Sequence, residues 1–208
     1  MKRFFFRYNG LSLVLATLFL VFWAGQAVSG WKVHNEDAAL HQQPPADLPA
    51  YLRSGHFWQA TGENWESEFL QMGAYVVLTC FLFQKGWAES KDPERSNEGR
   101  LSAAGRQQYS WIYRNSLSLA FLALFLLSFI VHVLGGLAEE NAMRGEHRLP
   151  EQSLAAFLSS PDFWFQSFQN WQSEFLAVFA IVVLSIFLRQ EGSPESKEVT
   201  APESETGG

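Results

Sequence analysis

The chain has 208 residues, 15 basic and 21 acidic side chains, and a formal net charge of -6. With no long basic run, that balance argues against a nucleic-acid binder, and the single cysteine, Cys80, excludes an intramolecular disulfide. The 19 Phe and 8 Trp gather at the ends of apolar runs, as they do where helices meet lipid headgroups.

Lys2, Arg3 and Arg7 precede a first apolar run, 11–31, that holds no charge. This start resembles a secretory signal, but its equivalent recurs inside the chain, so the run is expected to remain as a membrane helix. Next comes a loop, 32–64, in which Leu48, Tyr51 and Leu52 have helical spacing and predict a short amphipathic surface helix. A second apolar run, 69–83, follows Glu68 directly, and a polar linker separates it from the third, 117–138, which contains only His132 as a titratable group. In the loop 139–170 the short amphipathic pattern returns. Ser160-Pro161-Asp162 then reads as a helix start: N-cap, proline at the first position, acid in the first turn. The fourth run is 175–188, and the tail 191–208, poor in apolar residues, is expected to be disordered. The first and third runs have the ~20 residues a bilayer demands. The other two reach that length through Trp65 and Trp171, so four transmembrane helices are predicted.

Residues 9–91 align with 115–197 without a gap, at 34 identities in 83 positions. The predicted fold is therefore all-α: a polytopic membrane protein whose four helices form two tandem, parallel helical-hairpin repeats. The divisions are 1–91, a linker 92–114, 115–190 and the tail 191–208. Of the 15 basic residues, 11 fall on the side of the termini and the linker and 4 on the other. Both termini are thus expected on the cytoplasmic side.

The repeated motif NWESEFL (64–70) and NWQSEFL (170–176) supplies the candidate polar site. Asn64 and Glu68 lie one helical turn apart, as do Asn170 and Glu174, and a carboxylate at the hydrocarbon edge seeks a polar partner or water. Gln26 and His132 occupy equivalent positions at a similar depth, so Gln26 is expected near Glu68 and His132 near Glu174. Trp65, Trp171, Trp58 and Trp164 are expected as interfacial anchors, and Asn9 and Asn115 as N-caps. The histidine spacing fits no metal site, no cofactor motif is present, and nothing points to an enzyme.

The stretches Asn9 to Leu13, Ser54 to Phe57, Glu63 to Gly73 and Lys85 to Pro93 together resemble a family of bacterial membrane proteins catalogued only as a domain of unknown function. That resemblance implies a four-span membrane protein and supplies no activity. The expected function is a membrane scaffold, or a protein that binds lipid, a membrane partner or a second copy of itself. The alternative is a small transporter or channel that uses Glu68 and Glu174 as a proton or cation site.

Overall fold

The computed structural model describes residues 2–91 and 108–206, and every regular element among them is an α-helix. In chain order these are α1 (Lys2–Leu40), α2 (Leu48–Tyr51), α3 (Gly55–Leu78), α4 (Trp111–Arg114), α5 (Ser116–Glu146), α6 (Leu154–Leu158) and α7 (Pro161–Phe187). Most of the linker, 92–107, lies outside the described residues.

Among the described residues three helices, rather than the expected four, are long and apolar enough to cross a membrane: Asn9–Leu40 within α1, then α5 and α7. The correction falls on the second apolar run, because α3 ends at Leu78, inside 69–83. There Thr79 Oγ1 donates back to the Tyr75 and Val76 carbonyls, and Cys80 Sγ to Val76. The chain tightens into short turns, with Cys80 N on Val77 O and Phe81 N on Leu78 O. Side-chain donors that compete for helix carbonyls favour such an ending. The 24 residues of α3 span about 36 Å, but Glu63, Glu66 and Glu68 make its first half polar.

Caps account for the other boundaries. Ser160 has extended backbone and accepts from Phe163 N, with Pro161 and Asp162 in the first turn of α7. Asp47 caps α2 through Ala50 N at 2.8 Å. Asn9 is no cap, since α1 begins at Lys2, and Asn115 directs its amide to the Trp111 carbonyl instead.

The chain divides into two compact units: Met1–Thr61 with Val133–Ser153, and Gly62–His132 with Leu154–Gly208. In the first unit, the start of α3 meets the end of α5 through glycines. A Cβ on Gly55 would stand 2.7 Å from Gly135 O, and one on Gly135 would stand 2.5 Å from Gln59 N. Glycines allow two backbones this approach. Tyr51 fills the space over Gly30, and its hydroxyl bonds His56 Nδ1 at 3.1 Å. Burial, and then the Glu139 carboxylate, push the Tyr51 phenol up from its ordinary value.

In the second unit, the buried side chains include Glu66, Ser67, Gln71, Ser128, His132, Ser167 and Ser185, while Leu117, Leu127, Leu176 and Phe179 are exposed. That inversion, polar inside and apolar outside, suits a bundle surrounded by lipid. The tail, expected to be disordered, makes specific contacts. Lys197 Nζ donates to the carbonyls of Pro202, Glu203 and Glu205 at 2.9–3.2 Å, and Gly86 N donates to Thr206.

Several local contacts recur at positions 106 apart. Trp58 Nε1 donates to Leu52 O and Trp164 Nε1 to Leu158 O. Asn35 pairs with the Ala46 backbone and Asn141 with that of Gln152. Gly86 and Gly192, at φ 84 and 78, start matching turns that Ser90 and Ser196 close on the Gln84 and Gln190 amides. A φ in that range favours glycine, which has no Cβ to clash.

Candidate functional site in the second unit

Gly62 sets the geometry of the site. A Cβ there would lie 2.8 Å from His132 Cα and 3.0 Å from Ser128 O, so its absence lets α3 touch the α5 backbone. One turn along α3, Glu66 then meets His132: Nδ1 lies 3.1 Å from Glu66 Oε2, and both side chains are 0% exposed. The other carboxylate oxygen, Oε1, accepts from Trp171 Nε1 of α7 at 3.2 Å. Phe163 stacks on the imidazole with ring centroids 5.0 Å apart, and is itself held by Phe129 and Phe157. Glu63, one turn back on α3, accepts from Asn170 Nδ2. The imidazole thus has a carboxylate at one edge and an aromatic ring on one face. Its Nε2, and the Oγ of fully buried Ser167, have no hydrogen-bond partner among the described residues.

The expected residues are distributed around this centre. Asn170 and Trp171 belong to it, Trp171 as a hydrogen-bond donor to a buried carboxylate rather than only a lipid anchor. His132 belongs to it as well, paired with Glu66. Glu68 is exposed and Glu174 half-buried, and the two lie within electrostatic range of each other. Asn64 is exposed and Trp65 half-buried. Gln26, in the first unit, directs its amide to Thr61 Oγ1 at 3.5 Å. Trp58 and Trp164 fasten the ends of the short helices, as described.

Glu63 and Glu66 are the residues that sequence reasoning passed over. Their counterparts are Gln169 and Gln172, just as His132 corresponds to Gln26. The available signal was divergence between repeats: two acids on one helix and a base on another, where the other copy has amides. Chemically, the Glu66–His132 pair can hold one proton without net charge, and Nε2 is the nitrogen left to release it or take it back. Among the described residues, no group of three or more His, Cys, Asp or Glu is arranged to hold a metal ion.

The family described as Domain of unknown function (DUF6766) matches residues 1–208, and the chain belongs to that family. No curated protein and no solved structure matches the chain.

Proposed function

We propose that the protein is an integral membrane protein that passes protons, or a small cation coupled to them, by way of the buried Glu66–His132 pair. The observation that carries this reading is a carboxylate and an imidazole 3.1 Å apart at 0% exposure, in a helical assembly whose outer surface is apolar. An ionisable pair is costly in such a setting, and replacing it with apolar side chains usually costs little stability or gains some. Its presence is therefore better explained by proton exchange than by stability. Glu68 and Glu174, exposed or half-buried, serve as the entry to this centre. In this reading α3 forms a fourth crossing, covered by α5 and α7 where it is polar. The two halves are parallel repeats, both termini lie in the cytoplasm of a bacterial plasma membrane, and no bond other than those to protons is made or broken.

The test is proton flux into liposomes containing a pH-sensitive dye, driven by a potassium diffusion potential. Wild type is expected to acidify faster than empty vesicles, and Glu66→Gln and His132→Gln to lose at least about ten-fold of that rate. Wild type at the rate of empty vesicles would sink the proposal. One feature favours a second reading, a scaffold that binds lipid or a membrane partner: Trp58, Trp164, Phe165 and Phe168 are exposed. On that reading the same substitutions leave flux at background and co-purified partners unchanged.

A further inference from the structure

Beyond Glu63 the chain carries a polar residue at every fourth position, Ser67, Gln71 and Tyr75 on α3 and Thr79 just past its end. Such a series drifts only about 40° per step around a helix, so it forms one slowly winding stripe. Ser67 and Gln71 are buried. Below them an open groove of about 380 Å³ runs between α7 and the side formed by α3 and the turns after it, where Gln71, Tyr75, Thr79 and Gln84 alternate with as many apolar side chains; the α7 side, from Phe175 to Val182, is apolar. The counterparts of Gln71, Tyr75 and Thr79 on α7 are Ala177, Ile181 and Ser185. The amide of Gln71 and the phenol of Tyr75 are therefore peculiar to the helix that also supplies Glu63 and Glu66.

At its far end, the Tyr75 hydroxyl donates to Glu89 Oε2 at 3.0 Å, and Glu195 of the tail is hydrogen-bonded to Glu89. The Glu89 carboxylate, and then burial, push Glu195 up from its ordinary value. Two carboxyls from matching turns thus meet beside Tyr75, which lines the groove.

We infer that this groove is a hydrated half-channel, opening at the Glu89–Glu195 carboxyls and leading protons along the Gln71–Tyr75 stripe to the Glu63–Glu66–His132 centre. Purely apolar contact would need no amide, phenol and hydroxyl on successive turns. A column of water needs such a series of hydrogen-bonding groups, even when apolar side chains lie between them. The inference rests on the proposed proton pathway for its purpose, but hydration of the groove can be measured without any flux.

In full-length Cys80→Ala protein in liposomes, single cysteines are placed at Gln71 and Thr79 in the groove and at Leu127 and Leu184, which are exposed on the apolar surface. The thiolate, which forms in water and not in lipid, attacks a charged methanethiosulfonate reagent and displaces methanesulfinate. Q71C and T79C are expected to react at least about ten-fold faster than L127C and L184C, and Gln71→Leu and Tyr75→Phe to slow flux by a similar factor. Equal labelling of all four positions overturns the half-channel. Selective labelling with flux unchanged in Gln71→Leu and Tyr75→Phe overturns the proton route while leaving Glu66–His132 as the exchanging pair. No flux in wild type defeats the proton reading and the route together.

Discussion

Replacing Glu66 with leucine removes the acceptor of two buried donors, His132 Nδ1 at 3.1 Å and Trp171 Nε1 at 3.2 Å. Each stranded donor costs about 1–3 kcal/mol, so Glu66→Leu is expected to lose about 3–5 kcal/mol, the usual cost of breaking a buried pair from one side. His132→Leu leaves the Glu66 carboxylate buried with Trp171 as its remaining neighbour and should cost about as much. The double variant carries no unpaired charge and strands one indole N–H, a loss of about 1–3 kcal/mol. The structure therefore predicts that the double variant is more stable than either single. At about 2–4 °C per kcal/mol for a chain of this size, each single should melt roughly 6–20 °C below wild type in mild detergent, with the double above both. A double variant that melts lower than either single, by the sum of their losses, would refute the pairing, since independent sites add and contacting ones do not.

Three further predictions follow from the geometry. Gly62→Ala puts a methyl against the backbone of His132 and Ser128 and should cost more than about 2 kcal/mol; Gly25→Ala, with nothing within 4 Å, should be neutral or gain up to about 1 kcal/mol in helix propensity, and detergent melting curves of both check the contrast. Trp171→Phe should destabilise by about 1.5–3 kcal/mol, because its partner is a carboxylate, and Trp164→Phe by about 1 kcal/mol, because its partner is the Leu158 carbonyl; equal losses would return Trp171 to the role of a lipid anchor. For Glu195, the raised folded value means that tail docking is strongest below the ordinary carboxylate value and weakens as pH rises through the raised one; Glu195→Gln should therefore slow proteolysis of residues 190–206 at neutral pH, with little change at pH 4.

Much of the secondary structure can be read from the sequence because its signals are local. The Ser160-Pro161-Asp162 start of α7 follows from side-chain capping alone, and the lengths of α1, α5 and α7 follow from uninterrupted apolar runs. The end of α3 does not. Thr79 and Cys80 sit in an apolar run that looks continuous, and the tightened turns there, Cys80 N on Val77 O and Phe81 N on Leu78 O, leave no mark in the apolar pattern. The contacts of the tail are illegible for a different reason. Composition registers that 191–208 is polar, but not that Lys197 finds three carbonyls at once.

The Glu66–His132 pair stayed hidden because residues shared by the two repeats drew attention first. Glu68 and Glu174 are identical in both copies, and so are Trp58 and Trp164. The tryptophans perform the same task twice, each tying a short helix to the long one after it. A residue identical in two copies is constrained by whatever the copies have in common, which is first of all their local packing. A site assembled once, from unlike elements, needs positions at which the copies differ. Glu66 against Gln172, Glu63 against Gln169 and His132 against Gln26 are such positions, and the second unit brings the acid of one repeat against the base of the other. The polar stripe of α3 obeys the same rule, since Gln71 and Tyr75 face Ala177 and Ile181 in the alignment. The positions at which the two halves of the sequence agree tie short helices to long ones, and those at which they differ supply the buried carboxylate and imidazole.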